Sequence, residues 1–183
     1  MGKSLVRWAL VAIGTFALVF AVAMAIGMTL PSQIEVTRTI SINRPPENVW
    51  WVLTDYNSLS LWHPQYRSAV MTSLPGERPI RWRATYTDGR TCNFEVSEET
   101  SPNRYAERIT DTNLPFAGSW DLDLERRELT TQVTAHSRVE LHRPLDRLFV
   151  HMFVKPDLEI EKILNALKRR VEASTVNPTP ATS

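Results

Sequence analysis

The chain has 183 residues, 43% of them hydrophobic and 22% charged, with 21 basic against 20 acidic side chains. One domain with appendages fits that length, and the composition excludes collagen-like, strongly disordered and polybasic classes. Residues 1–30 hold only Lys3 and Arg7, so the remaining 19 basic groups face 20 acidic ones. Without a broad phosphate-neutralising surface, nucleic acid is not an expected partner. Cys92 is the only cysteine, which excludes an intramolecular disulfide framework and a Cys-rich zinc site and leaves the redox compartment open.

Residues 8–30 carry no charge. At 1.5 Å per residue a helix of that length covers about 34 Å, enough for the bilayer hydrocarbon, so a single transmembrane helix is expected behind a short basic N-terminus, residues 1–7. The rival is a cleaved signal peptide, with Lys3 and Arg7 as its basic region and Ala21-Val22-Ala23 or Ala23-Met24-Ala25 as peptidase sites. The apolar run favours the anchor because it continues past those alanines through Ile26, Met28 and Leu30. Lys3 and Arg7 lie closer to the span than Arg38 and Arg44, so the positive-inside rule favours a cytoplasmic N-terminus with the domain on the periplasmic or extracytoplasmic side.

Residues 34–42 alternate with period two and are rich in β-branched side chains, the pattern of a half-buried strand whose apolar face is interrupted only by Arg38. Pro45 and Pro46 then open a helix with an apolar stripe at Val49, Trp50, Val52 and Leu53, expected to stop near Asp55. A second short helix or turn covers 57–61 and breaks at Trp62-His63-Pro64. Strand patterns follow at 66–74, 80–87, 92–96, 105–111, 120–125 and 131–141, with Asp88-Gly89 as a tight hairpin turn. Short connections and one wet face imply an antiparallel sheet. From Leu145 to Val171 the apolar spacing becomes helical and stays in phase across Pro156, which predicts one kinked helix or two helices meeting there, lying on the dry face of the sheet. Residues 174–183 form a Pro/Thr/Ser tail without a core-forming pattern.

This order of strand, two short helices, six strands and a long terminal helix resembles the START-like (SRPBCC) superfamily of polyketide cyclase/dehydrase and lipid-transport proteins. The residues that carry the resemblance are the 34–42 strand running into Pro45-Pro46-Glu47-Asn48-Val49-Trp50, the stretch from Asp55-Tyr56-Asn57 to Trp62-His63-Pro64, and Phe116-Ala117-Gly118-Ser119-Trp120 followed by 130–133. The resemblance covers roughly residues 34 to 173. It implies an α+β helix-grip fold over residues 31–173, a curved antiparallel sheet of about seven strands wrapped on a long C-terminal helix. It also implies an internal hydrophobic cavity that receives lipids, polyketides, aromatic compounds or a protein partner.

Small residues on the expected inner faces, Ala84, Ala135 and Ser137, leave room for such a cavity. Its expected lining is Trp82, Tyr86, Phe94, Tyr105 and Trp120 from the sheet beside Ala135, with Phe149 and Met152 from the helix. Burying eight methylenes there would yield about 6 kcal/mol before association costs. The bland reading of each aromatic is ordinary core.

The four histidines, His63, His136, His142 and His151, show no metal-ligand spacing, and no metal or cofactor is expected. Cys92 reads as an inert buried thiol, and Gly89 and Gly118 read as turn glycines. No nucleophile elbow or phosphate-binding glycine loop is present. Arg38 and Glu107 both fall in the apolar register of their strands, so each needs a partner or water. In the resembled topology their strands lie about three spacings apart, roughly 14 Å, too far for a direct pair in a flat sheet. Edge exposure or local pairing is the plain account of both, and a proton-transfer role for Glu107 the sharper one. His63, beside Trp62 near the expected cavity mouth, is the other acid/base candidate. The expected function is a membrane-anchored module binding a hydrophobic small molecule. The alternatives are a cyclase or dehydratase using Glu107, His63 and Arg38, or a protein-interaction adaptor on the same fold.

Overall fold

A computed structural model describes residues 2–174, so most of the expected tail, residues 175–183, lies outside the described residues. The elements are α1 (Gly2–Thr29), β1 (Gln33–Ile42), α2 (Pro46–Thr54), a 3-10 helix (Tyr56–Leu61), β2 (Tyr66–Met71), β3 (Arg81–Tyr86), β4 (Thr91–Thr100), β5 (Arg104–Ile109), β6 (Phe116–Arg127), β7 (Thr130–Leu141), α3 (Pro144–Phe153) and α4 (Pro156–Ala173). Within α1, Val6–Thr29 is long and apolar enough to cross a membrane.

The strands form one seven-stranded antiparallel sheet in the order β1-β7-β6-β5-β4-β3-β2, the α+β helix-grip architecture that the periodicity and the resemblance imply. Hairpins join neighbours from β2 to β7, and β1 closes the order by pairing with β7 from Gln33 opposite Glu140 to Ile42 opposite Thr131. Gly89 turns the β3–β4 hairpin with φ of 87°, a conformation that only glycine adopts without strain. The prolines of α2 sit at its first turn, where a missing N–H costs nothing, and the helix ends at Asp55.

The inner face of the sheet grips α4, which buries Ile160, Leu164, Leu167 and Val171 at three- and four-residue spacing. The far end of α4 is tied to the β1–α2 connection, where Glu172 accepts the Asn43 N–H at 2.9 Å and Arg44 donates to the Glu172 carbonyl at 2.9 Å. Ile42, Val49, Val133, Leu124 and Val171 fill the core there. The outer face is wet and charged, with Arg81 and Arg108 both on Glu95 and Arg104 between Glu98 and Asp123. Exposed pairs of this kind contribute little to stability.

Two helices meet at Pro156, one of the two expected arrangements; α4 packs along the sheet, whereas α3, expected to lie on it as well, meets it at β7 and buries none of its residues fully. Val154 is extended and Lys155, the residue before the proline, is also non-helical, so the helical phase is not carried through. The last turn of α1 packs against α3, where Gly27 is buried against Pro144. A side chain at Gly27 would collide with the Pro144 carbonyl.

Leu124→Ala, at a packed site away from any void, is expected to cost about 2–5 kcal/mol in urea unfolding of the detergent-solubilised chain. Arg138→Ala, which removes an exposed pair to Glu35, should leave the midpoint unmoved.

Candidate functional site

Strand register stacks inward side chains in rows across the sheet. Ile34, Val139, Gly118, Ile109, Phe94 and Trp82 face one another in one row. Ser137, Trp120 and Glu107 belong to the next, and Ala135, Leu122 and Tyr105 to the one beyond. The row farther from α1, with Val133 and Leu124, is packed solid. Between α4 and the three rows nearer α1 the interior opens into a cavity of about 390 Å³, within the range of ordinary small-molecule sites. It therefore occupies the half of the barrel-like interior adjoining α1.

Aromatic rings build the β2–β4 side of the wall. Trp82 stacks on Phe94 with ring centroids 4.4 Å apart, and Tyr66 meets Trp82 edge-on at 5.7 Å and Tyr86 at 5.2 Å. Leu53 of α2 and Ile160, Ile163, Leu164 and Leu167 of α4 complete it, and Val150 and Val154 close the end nearest α3. Trp62 and His63 stand on the wall between the 3-10 helix and β2, and Gln65 bridges to Glu159 of α4 at 3.1 Å.

Glu107 is the acidic group set into this apolar wall from the sheet. Its Oε2 accepts hydrogen bonds from Tyr105 Oη at 2.6 Å and Trp82 Nε1 at 3.1 Å. Burial outweighs both bonds and pushes its carboxyl up to about 7. Both donors reach the same oxygen, which leaves Oε1 for a proton or a ligand. His63 stacks on Tyr66 with centroids 3.6 Å apart, and burial pushes its imidazole down to about 3. At neutral pH it is therefore uncharged. Its Nδ1 faces the Gln65 N–H at 3.4 Å.

Of the residues expected to line the cavity, Trp82, Tyr86, Phe94, Tyr105 and Trp120 stand on its wall. Ala135 is fully buried beside Leu122 and does not. Phe149 and Met152 face outward, 58% and 64% exposed, because α3 leaves the sheet before Pro156. Val150 and Val154, on the other side of the same segment, take their place.

The structure separates the candidate acid/base residues. Arg38 shares a row with Ala135 on the edge strand and pairs with Asp157 of α4 at 2.6 Å, outside the cavity wall. Three strand steps part it from Glu107. Gly118 is not a turn glycine. It lies within β6 opposite Val139, where a Cβ would press on Ile109 Cδ1 at 3.3 Å. The sequence signal was its inward register between Phe116 and Trp120. Cys92 is buried with its thiol pushed up by desolvation, and His136 lies on the outer face against Thr37 and Asp123. Among the described residues no three His, Cys, Asp or Glu side chains gather at one metal-sized point.

A sheet that curves over one helix and leaves an apolar chamber with a buried carboxyl on its wall defines the helix-grip class of fold. The family of polyketide cyclase/dehydrase and lipid transport proteins matches residues 33–172, and the chain belongs to it. Among solved structures it is similar to TTHA0849 from Thermus thermophilus, at 21% identity over 78% of this chain and 100% of that one, with a TM-score of 0.65. The ZhuI aromatase/cyclase from Streptomyces sp. R1128 is 16% identical over 76% of this chain and 94% of its own, with a TM-score of 0.63. A START superfamily protein from Mycobacterium smegmatis is 16% identical over 75% and 97%, with a TM-score of 0.58. No curated protein matches the chain. The family and fold support a role in hydrophobic ligand binding or cyclisation.

The raised Glu107 carboxyl has a sign that can be measured. The fold keeps its proton up to about pH 7, whereas the unfolded chain releases it near 4.5. Between those values the native state binds more protons, so its stability falls as pH rises through them, by about 3 kcal/mol in all. Urea unfolding of the wild type and of Glu107→Gln at about pH 5 and about pH 8 should show this extra loss in the wild type alone. Parallel losses in the two proteins would mean that Glu107 does not hold a raised carboxyl.

Proposed function

We propose that this chain is a membrane-anchored binding protein that takes up an apolar small molecule carrying one polar group. The observation that carries this reading is the cavity itself, whose wall is aliphatic and aromatic except for a few polar side chains, with Glu107 set deep among Trp82, Tyr105 and Trp120. In a low-dielectric site a lone polar group fixes orientation more than it adds affinity, because any ligand must match it or leave it unpaired. Near neutral pH the Glu107 carboxyl exchanges between acceptor and donor, so it suits a ligand carbonyl or hydroxyl. The lipid, polyketide and aromatic classes of the family all include such molecules.

In this reading residues 8–30 are the anchor, 1–7 its cytoplasmic basic flank, 31–173 the binding domain on the other side of the membrane, and 174–183 a tail. Lys3 and Arg7 against Arg38 and Arg44 support the orientation. The apolar run continues past Ala23 and Ala25 through Ile26, Met28 and Leu30, which supports retention of α1. A tether holds the cavity beside the phase in which apolar molecules concentrate.

One observation favours a second reading, in which the chain is a metal-independent cyclase or dehydratase. A carboxyl poised near neutrality inside a water-poor chamber is suited to move a proton to or from an enolisable ligand held against it.

Titration with a hydrophobic fluorophore, competed by fatty alcohols and by aromatic polyketides, tests both. Saturable binding should weaken by at least about tenfold in Ser137→Phe, which fills the chamber beside Trp120. Binding unaffected by the filler, or absent from the intact fold, overturns the assignment. If a poly-β-ketone is converted to product, the rate should follow a pH midpoint near 7 that disappears in Glu107→Gln.

A further inference from the structure

α3 has two apolar faces. Val150 and the following Val154 line the cavity, while Phe149, Met152 and Phe153 face outward, 58%, 64% and 68% exposed. The Phe149 and Phe153 rings lie 5.2 Å apart along that outer face, and Leu145, one helical turn before Phe149, is exposed as well. A contiguous apolar patch of this kind marks a surface with a partner.

The connection to α1 identifies that partner. Gly27 sits against Pro144, the first residue of α3, and it lies three residues before Leu30, where the apolar run gives way to Pro31-Ser32-Gln33. At helical rise that is about 4–5 Å along the axis. With α1 across a bilayer, the start of α3 is thereby held close to the boundary between acyl chains and headgroups. Amphipathic helices rest at that depth, with their apolar faces about 5–10 Å into the lipid. Arg143 and Lys155 are exposed just outside the two ends of α3, at positions suited to lipid phosphates. The cavity occupies the half of the domain interior on the same side, next to the strand ends from which α1 departs.

We propose that α3 lies in the bilayer interface with Phe149, Met152 and Phe153 in the lipid, and that it is the partition across which ligand passes between bilayer and cavity. The proposal rests on the reading of α1 as a membrane anchor. Displacing this short helix, held to the sheet side by Val150 and the Arg147 bond to the Leu141 carbonyl at 3.0 Å, would open the chamber to acyl chains without exposing it to water.

The test uses the full chain in phosphatidylcholine–phosphatidylglycerol vesicles, in a Cys92→Ser background, with an environment-sensitive nitrobenzoxadiazole label at Phe149→Cys or Phe153→Cys. Leu129→Cys is the control, because Leu129 is 85% exposed at the β6–β7 hairpin, at the opposite end of the sheet. Labels on α3 should emit to the blue and be quenched by doxyl groups placed high on the lipid chain, while the control is quenched by aqueous iodide. Alkaline carbonate extraction in parallel reports on the anchor. A chain that stays in the pellet with its α3 labels open to iodide overturns the α3 assignment and leaves the anchor standing; a chain released into the supernatant overturns both. As a second arm, the Phe149→Asp/Phe153→Asp double variant should keep its affinity for a soluble fluorophore in detergent. It should take up a fluorescent fatty alcohol from vesicles at least about tenfold more slowly, since two charges would have to enter the apolar interface. Unchanged uptake overturns the route through α3.

Discussion

The architecture turns on the break at Pro156. A continuous helix from Leu145 to Val171 would lie along the whole inner face and fill it. Pro156 has no N–H to donate and forces Lys155 out of helical geometry, so α4 starts only there and grips the half of the sheet bounded by Ile42, Val133 and Leu124. With Ile160, Ile163, Leu164 and Leu167 forming the facing wall of the chamber, α4 stands off from the rest of the sheet. Large rings cover part of it, Gly118 and Ser137 contribute almost no volume, and the remainder is the chamber. The void thus follows from one backbone constraint together with two small residues in the inward register, and it is located where α3 diverges.

The sequence was most readable where one face of an element is wet. Residues 34–42 and 131–141 alternate because their outer side chains meet solvent, and the same alternation set their pairing, since a one-residue slip would turn every apolar side chain outward. The Asp88-Gly89 turn and the end of α2 at Asp55 were legible from local backbone chemistry. Helical phase across Pro156 misled, because periodicity records which positions are apolar and not whether the axis continues. Phe149 and Met152 are apolar for a reason other than the sheet. Gly118 looked like a turn because glycine weakens a strand; its use here is to keep Ile109 and the chamber free of a side chain.

Arg38 and Glu107 show what a register argument can and cannot settle. Both are charges in the apolar register, and both do point to the helix side of the sheet. Their fates differ by strand position. β1 is an edge strand, so Arg38 reaches solvent and Asp157. β5 is central, so Glu107 has no route to water except through the chamber, and only Trp82 and Tyr105 meet its carboxyl. Strand order depends on long-range pairing, which local pattern does not encode, and the charge that faces the chamber could not be separated from the one paired at the sheet edge before that order was known.

The setting of Glu107 narrows the ligand further. A carboxylate among aromatic rings cannot be screened by water, so an anionic group brought beside it would meet strong repulsion, and an ionised fatty acid is a poor match. A cation would pull the proton from Glu107 and form a buried pair whose desolvation offsets much of the attraction. A neutral carbonyl or hydroxyl on an apolar frame avoids both costs and satisfies the free oxygen. Molecules of that type partition into bilayers with their polar group near the surface and their body among the chains. If α1 is the anchor proposed above, that is the depth at which α3 would lie, and the chemistry inside the chamber and its position would then select the same class of molecule.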